Sequence, residues 1–172
     1  MTDKVTILIG PPCSGKSSYL TRLNSDFVIS SDDIVEVLCR QNQLRYHEYF
    51  ILPCHHKIKV AHDKIFNNLV ALSQRYQHVV WDLTNLTKKR RARIFKHYSG
   101  AKFIAVQFDD PDQNDAKLIA ELAKRNELRG RDKGKYIPDS VLKEMISSYE
   151  RANKIEGFSE IVNVYVNKTT IK

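Results

Sequence analysis

Residues 10–17 carry the most specific chemical pattern of this chain, Gly-Pro-Pro-Cys-Ser-Gly-Lys-Ser. The stretch fits G-x-x-x-x-G-K-[ST] and lies between an apolar run and a predicted helix, which is the context that a phosphate-binding loop requires. Such a loop turns backbone N–H groups towards phosphate oxygens, and the helix N-terminus adds partial positive charge. The pattern predicts a nucleoside triphosphate site formed by Gly10, Pro11, Cys13, Ser14, Gly15, Lys16, Ser17 and Ser18.

Two side chains of this loop are predicted to act on the nucleotide. Lys16 reaches the β- and γ-phosphates, and the Ser17 hydroxyl joins the shell of a Mg²⁺ ion. Because such loops occur in enzymes and in switches alike, the loop leaves the reaction class open. A switch GTPase carries a guanine-reading Asn-Lys-x-Asp stretch, whereas residues 167–170 read Asn-Lys-Thr-Thr, so that class is not favoured.

A pair of acids, Asp32 and Asp33, follows the second predicted strand. In a parallel sheet this is the edge at which ligands bind. Transfer of a phosphoryl group to a hydroxyl needs an acidic side chain that orients the nucleophile and accepts its proton. Asp32 is the candidate general base and Asp33 a candidate acceptor contact. The alternative is structural, with one acid capping the following helix and the other solvated.

Asp82 ends the third predicted strand and is followed closely by Thr84 and Asn85. An acid at the end of a strand beside a phosphate loop can hold a water molecule bound to Mg²⁺. Thr84 and Asn85 place neutral hydrogen-bonding groups at the same edge, where they are candidate acceptor contacts. An ordinary turn before the next helix is the alternative.

Two segments are rich in Lys and Arg. Residues 124–136 are predicted to form a mobile lid, because residues 128–137 are polar and contain two glycines. Within this lid, Arg125 and Arg129 are expected to close over the transferring phosphoryl group and exclude water. The predicted helix at 86–98 carries a second basic run that can track a phosphate backbone. For both segments, a solvated basic surface is the alternative.

The elements that position these residues alternate along the chain. Strands are predicted at 5–9, 27–30, 78–82, 102–108 and 161–166. Helices are predicted at 17–23, 32–40, 46–77 with a break near Pro53, 86–98, 116–127 and 138–155. Strands that alternate with helices predict an α/β fold with a mainly parallel five-stranded sheet and helices on both faces. The strand ends that carry the candidate residues then share one edge of the sheet.

Length and composition narrow the class of protein. The 172 residues are expected to form a single domain, without repeats or linkers. A net charge of +8 indicates an anionic partner. The N-terminus lacks the pattern of a signal peptide, and no stretch is long and apolar enough for a membrane span. Three widely spaced cysteines favour free thiols in a reducing compartment, so a cytoplasmic location is expected.

Taken together, these motifs resemble the P-loop polynucleotide 5′-kinase family, the kinase module of phage and bacterial end-healing enzymes. The resemblance covers nearly the whole chain and keeps the family's order of motifs. The matching features are residues 10–17, Ser31-Asp32-Asp33, the Thr-Asn-Leu of residues 84–86, Lys124-Arg125-Asn126 with Arg129-Gly130, and Pro138 with Val141-Leu142 and Met145.

The resemblance implies an activity and a set of roles. It implies ATP- and Mg²⁺-dependent transfer of the γ-phosphate to the 5′-hydroxyl of DNA or RNA, in nucleic-acid end repair. Asp32 is then the general base, Lys16 and Ser17 act at the phosphates and Mg²⁺, and Thr84 and Asn85 lie near the acceptor. Arg125 and Arg129 belong to the lid. The resemblance implies no particular oligomeric state.

The chain departs from the family pattern at two positions. Cys13 stands where the family's loops usually have glycine. Val35 stands where the family typically has an arginine that grips the acceptor's phosphate, and Arg40, Arg45 and Lys59 are candidates to replace it. Many phage members also carry a phosphatase motif, D-x-D-x-T. Residues 109–112 read Asp-Asp-Pro-Asp, so no 3′-phosphatase activity is expected.

Two other functions remain open from the sequence. A P-loop kinase of a small acceptor, such as a nucleoside, nucleotide or metabolite, would account for Val35 in place of the arginine. A non-catalytic nucleic-acid-binding module would keep the fold and the basic charge. That module would bind without turnover, and retention of Lys16, Ser17 and Asp32 argues against it.

Overall fold

The computed structural model of the chain describes residues 1–166. The stretch 167–170, which lacks the guanine-reading acid, lies outside the described residues. Within residues 1–166, the helices and strands follow one another in the predicted α/β alternation.

The sheet has five strands, and every pairing between neighbours is parallel. Its order is β2-β3-β1-β4-β5, which confirms the predicted fold class. The central strands are buried on both faces, which is why they appear in the sequence as nearly continuous apolar runs. The strands are β1 (Lys4–Ile9), β2 (Phe27–Ser30), β3 (His78–Asp82), β4 (Lys102–Asp109) and β5 (Glu160–Tyr165).

Seven α-helices connect and cover the strands of residues 1–166. They are α1 (Lys16–Leu20), α2 (Ser31–Gln41), α3 (Tyr46–Ile51), α4 (Lys57–Ser73), α5 (Lys88–Phe95), α6 (Asp115–Lys133) and α7 (Asp139–Ser147). The break near Pro53 is confirmed: α3 ends at Ile51, because the residue before a proline is pushed out of the helical conformation.

Both faces of the sheet carry helices. Trp81 shares its register row with Ile7 and Ala105, so these side chains lie on one face, whereas Phe108 lies on the other. The Trp81 ring contacts Phe66 of α4, with centroids 5.8 Å apart. The Phe108 ring contacts Tyr19 of α1 at 5.7 Å. The core therefore has two layers, separated by the sheet.

The prediction of a polar loop at residues 128–137 is wrong for residues 128–133, which are helical. Helix α6 continues to Lys133 and ends at Gly134, whose φ of 64° is the left-handed conformation that closes a helix. Gly130 is helical, and a β-carbon on it would lie 3.1 Å from the Tyr136 β-carbon. Close packing of the returning chain therefore accounts for this glycine, rather than loop mobility.

The single helix predicted at 138–155 is also wrong. Helix α7 ends at Ser147, and a short 3-10 helix follows at Lys154–Glu156. Between them the chain forms hydrogen bonds with β4 and with the residues before α5. The Ala152 N–H donates to the Gln107 side chain at 2.7 Å, and the Glu150 N–H donates to the Leu86 carbonyl at 2.9 Å. These tertiary hydrogen bonds outweigh the local helical pattern.

One cation of the basic run 86–98 belongs to the interior. Arg91 is fully buried, and its guanidinium pairs with Glu156, with Nε to Oε2 at 2.7 Å. Its Nη1 also donates to the carbonyls of Asn85, Leu86 and Glu150. Arg91 is therefore neither part of a solvated surface nor available to a phosphate backbone. It joins α5 to the segment after α7. No helix within residues 1–166 is long and apolar enough to cross a membrane.

Candidate active site at the carboxyl edge of the sheet

The loop between β1 and α1 depends on two glycines. Gly15 has a φ of 103°, a conformation that favours glycine. A β-carbon on Gly10 would lie 2.8 Å from the Phe108 β-carbon and 2.9 Å from the Ser14 hydroxyl. Gly10 also donates its N–H to the Thr84 carbonyl at 3.0 Å, which fixes the loop to the end of β3. Cys13 shares the left-handed region, with a φ of 65°.

The Lys16 side chain folds back onto the start of this loop. Its ammonium donates to the carbonyls of Gly10 and Pro11, both at 2.8 Å. Burial lowers the pKa of Lys16 to about 8, although the negative charge of Asp82 opposes this shift. Burial likewise raises the pKa of Asp82, opposed by the charge of Lys16. The two side chains thus stabilise each other's charge at the edge where β1 and β3 end.

The loop fits a phosphate group. The Ser14 hydroxyl is buried and finds no hydrogen-bond partner within residues 1–166, which leaves it available to an anion. Ser17 and Ser18 are exposed at the start of α1. Ser17 and Asp82 supply oxygen ligands of the kind that Mg²⁺ prefers. Within residues 1–166, no group of three or more His, Cys, Asp or Glu side chains is placed to hold a metal ion by itself, so Mg²⁺ there would also take oxygen ligands from a bound nucleotide or water.

Asp32 lies in the first turn of α2, and the N-cap of this helix is Ser30. The Ser30 hydroxyl accepts from the Asp33 N–H at 3.2 Å, so neither acid serves as the cap. Asp32 instead accepts a hydrogen bond from the Tyr46 hydroxyl. Two cations face the same carboxylate, with Arg129 Nη2 at 3.5 Å and Lys135 Nζ at 3.7 Å. Asp32 is therefore not a helix cap, and its carboxylate lies among a hydroxyl donor and two cations.

Arg129 links this carboxylate to the phosphate loop. Its Nη1 lies 3.8 Å from the Cys13 sulfur, while Nη2 faces Asp32. Lys135 pairs with Glu36, one turn further along α2, and lies 5.1 Å from the centre of the Tyr46 ring. Of the residues predicted to form the lid, Arg129 therefore contacts the phosphate loop and Asp32, and Lys135 also faces Asp32. Arg129 lies in helix α6 rather than in a loop.

Arg125 lies beside the phosphate loop near Gly15. Its Nε donates to Glu121 at 2.8 Å, and its Nη2 donates to the Val166 carbonyl at the end of β5. A β-carbon on Gly15 would lie 4.0 Å from its Nη1. Arg125 is therefore held next to the loop by the sheet, where it can meet a bound nucleotide.

Three predicted acceptor contacts occupy different environments. Asn85 is buried, with a φ of 47°, and its amide donates to the Leu8 carbonyl at 2.8 Å, so the structure gives it the role of joining β3 to β1. Asp33 is exposed and borders an apolar groove formed by Val28, Ile34, Val37, Ile65 and Leu69. Arg40 is exposed in the last turn of α2, about 12 Å along the helix from Asp32.

Val35, the position at which the family has arginine, is 3% exposed. It packs in an apolar cluster with Leu38, Cys39, Tyr49 and Ile58. This side of α2 therefore belongs to the core and offers nothing to an acceptor.

Two residues of the site were not found from the sequence. Tyr46 begins α3 and reaches Asp32 across 14 residues of chain, and no local pattern distinguishes it from a core aromatic. Lys135 lies within the predicted basic lid, and its contact with Glu36, across 99 residues, follows only from the tertiary placement of the segment after α6 beside α2.

Comparisons with known proteins give the family and the fold. Residues 5–152 match the model of a family described as an AAA domain. No curated protein matches the chain. A fungal RNA kinase structure superposes with a TM-score of 0.59 at 20% identity, covering 99% of this chain and 78% of that one.

Two further structures show the breadth of the fold. A chain of the Pnkp1/Rnl/Hen1 RNA repair complex has a TM-score of 0.62 at 23% identity, covering 86% of this chain and 44% of that one. A gluconokinase from Sinorhizobium meliloti has a TM-score of 0.50 at 16% identity, covering 96% and 83%. At these identities the likeness is one of fold, and the fold is that of P-loop kinases.

Proposed function

This chain belongs to the AAA domain family, and we propose that it is a kinase that transfers the γ-phosphate of ATP to the 5′-hydroxyl of a nucleic acid, DNA or RNA. The observation that carries this proposal is the position of Asp32. Its carboxylate is oriented by Tyr46 and joined through Arg129 to the phosphate loop that holds Lys16. Asp32 follows β2 at the same edge of the sheet as the phosphate loop, and a carboxylate there can accept the proton of an acceptor hydroxyl.

In the proposed reaction, the chain's own residues position the reactants and handle one proton. The Asp32 carboxylate accepts the proton of the 5′-hydroxyl as the oxygen forms its bond to the γ-phosphorus. The bond between the γ-phosphorus and the bridging oxygen breaks, and ADP leaves. Lys16 and Arg129 offset the charge that spreads over the transferring group. Mg²⁺, held with the nucleotide by Ser17 and Asp82, would supply further charge neutralisation.

Three features support a polynucleotide acceptor. Solved structures of similar fold include a fungal RNA kinase and an RNA repair complex. The net charge of +8 suits a polyanionic partner. The order of motifs resembles that of polynucleotide 5′-kinases. We therefore place the protein in nucleic-acid end repair, and its three unpaired cysteines agree with a cytoplasmic location.

The proposal includes no 3′-phosphatase step. Asp109, the first acid of the 109–112 stretch, is buried and pairs with Arg151, with Nε to Oδ2 at 2.5 Å. A nucleophilic aspartate would have to be free to attack phosphorus.

A kinase of a small acceptor is the second candidate, and Val35 favours it. Because this side chain lies in the core, α2 lacks the arginine that grips the phosphate of a polynucleotide end in the family that the motifs resemble. The gluconokinase of similar fold belongs to this class of enzyme.

The experiment that separates these candidates is transfer of labelled γ-phosphate from ATP and Mg²⁺ to a panel of acceptors. The panel contains 5′-hydroxyl DNA and RNA oligonucleotides, 3′-nucleotides, nucleosides and gluconate, and Lys16→Ala serves as the inactive control. Label on oligonucleotides with the wild type alone would support the proposal. Label on small acceptors alone would replace it with the second candidate, and label on none would contradict both.

A further inference from the structure

Helix α3 presents an exposed aromatic side chain close to the candidate base. Phe50 is 57% exposed, although its ring is held on two sides. The Tyr46 ring lies 5.2 Å away and the Tyr49 ring 5.3 Å away, both in edge-to-face contact. An aromatic ring that is fixed in place and open on one face suits stacking of a planar ligand.

Positive charge lies beside this ring. The Lys59 ammonium is 3.8 Å from the centre of the Tyr49 ring and 5.7 Å from that of Phe50. Arg45 is exposed at the start of α3. Neither cation forms an ion pair with any residue in the range 1–166, so both can face an external anion. A fixed aromatic ring with one cation beside it and a second at the start of the same helix fits the way in which proteins bind single-stranded nucleic acid.

The ring is connected to the reacting position through one side chain. The Tyr46 hydroxyl donates to Asp32, and the Tyr46 ring contacts Phe50. A ligand stacked on Phe50 therefore lies one tyrosine side chain from the carboxylate that would accept the 5′-hydroxyl proton. That separation suits a base at or next to the 5′ end of an acceptor strand.

We propose that Phe50, Lys59 and Arg45 form an acceptor subsite that stacks a nucleobase of a single-stranded 5′-hydroxyl end and contacts its phosphates. The inference rests on the proposed function and names the form of its acceptor. The bases of a paired end are held in the duplex, whereas the bases of an unpaired end can rotate out of the stack and onto Phe50. The subsite supplies the grip on the acceptor that the buried Val35 cannot supply.

The decisive variants lie side by side on α3. Phe50→Ala removes the ring, and Ile51→Ala removes an apolar side chain that is 79% exposed and lies outside the subsite. Phe50→Trp restores a stacking surface. Both positions face solvent, so unchanged melting temperatures are expected for all three variants and should be verified.

The kinetic readout is the KM and kcat for a 5′-hydroxyl oligonucleotide and for the same oligonucleotide with abasic sites at its first two positions. With the intact acceptor, Phe50→Ala should raise KM about 5- to 150-fold with kcat nearly unchanged, the range expected for one stacked base. Ile51→Ala should match the wild type, and Phe50→Trp should restore KM. With the abasic acceptor, wild type and Phe50→Ala should be equal.

A binding measurement separates failure of this inference from failure of the proposed function. The anisotropy of a 3′-fluorescein 5′-hydroxyl oligonucleotide is followed without ATP, for wild type, Phe50→Ala and Ile51→Ala. Loss of binding in Phe50→Ala alone upholds the subsite even if the wild type transfers no phosphate to oligonucleotides. Equal oligonucleotide affinity and KM in Phe50→Ala and Ile51→Ala would overturn the subsite, even if the kinase activity is present. An equal KM increase with the abasic acceptor would also overturn it.

Discussion

The donor half and the acceptor half of the candidate site are built in different ways. The donor half is the loop at residues 10–17, whose shape follows from Gly10, Gly15 and the start of α1. The acceptor half gathers Asp32 from α2, Tyr46 from α3, Arg129 from α6 and Lys135 from the segment after it. The shape of a contiguous loop depends on the backbone of residues that are neighbours in the chain. In a site whose side chains come from separate elements, one residue can be substituted without changing the others.

This difference explains why the donor can be named with more detail than the acceptor. Backbone N–H groups and Lys16 recognise phosphates, which every nucleoside triphosphate carries. The acceptor half presents side chains, and Val35 stands in the core where the polynucleotide 5′-kinases that the motifs resemble typically have an arginine. The following predictions test whether the two halves can be separated experimentally, beginning with the largest expected effect.

The separation should be clearest at Asp32. Asp32→Asn removes the proton acceptor and keeps the side-chain shape, so kcat should fall about 10²- to 10⁴-fold. ATP affinity, measured by calorimetry, should stay nearly unchanged, because the loss lies in the acceptor half. Asp33→Asn, at the exposed neighbouring acid, should lose far less. Substantial turnover in Asp32→Asn would remove this residue as the base.

The opposite pattern is expected in the donor half. Lys16→Ala removes a charge aimed at the transferring phosphate, so kcat should fall about 10²- to 10³-fold. ATP affinity should fall as well, whereas affinity for the oligonucleotide without ATP should be unchanged. Titration of both ligands against the same preparation measures this split. Equal weakening of oligonucleotide binding would show that the halves are not independent.

Arg129 should be the exception, because it contacts Cys13 on the donor side and Asp32 on the acceptor side. Arg129→Ala should lower kcat/KM about 10- to 100-fold for ATP and for the acceptor alike, as expected for a lost charge-assisted contact. Arg131→Ala, at an exposed arginine two residues further along α6, is the matched control and should behave as the wild type. An effect on only one substrate would confine Arg129 to one half.

The donor half should also respond to pH. Bound phosphates favour the charged form of Lys16, whose pKa in the free protein is about 8. Binding of ATP therefore takes up close to one proton at pH values well above 8 and none well below it, and affinity should fall about 50-fold from pH 8 to pH 10 if Lys16 stays charged in the complex. Calorimetry at pH 9 in two buffers of different ionisation enthalpy measures the uptake. A proton release at this pH would contradict the assignment.

The smallest effect is expected at Tyr46. Tyr46→Phe keeps the ring that packs against Phe50 and removes only the hydroxyl that donates to Asp32. Loss of one hydrogen bond should lower kcat about 2- to 12-fold, with the KM for ATP unchanged. Steady-state kinetics with both substrates varied provide the test. An altered KM for ATP would show that Tyr46 reaches into the donor half.

The fold could be predicted largely from local pattern, and its errors have identifiable causes. The five strands are short apolar runs bounded by turn residues, and alternation with helices made the sheet parallel. The course of residues 128–156 could not be predicted, because Gly130 is explained by packing against Tyr136, and residues 150–152 follow hydrogen bonds to Leu86 and β4. Periodicity contains no information on contacts of this kind.

The sequence by itself determined the phosphate loop, the parallel sheet and the strand end at which Asp32 stands, since each depends on residues adjacent in the chain. Only the tertiary structure decided that Arg91 and Asn85 serve the interior, that Arg129 faces Asp32, and that Tyr46 joins Asp32 to Phe50. These contacts join residues far apart in sequence, and they form only when the helices have packed on the sheet and buried their apolar faces. The physical reason is that backbone geometry is local, whereas a side chain's role depends on what the whole fold brings to it.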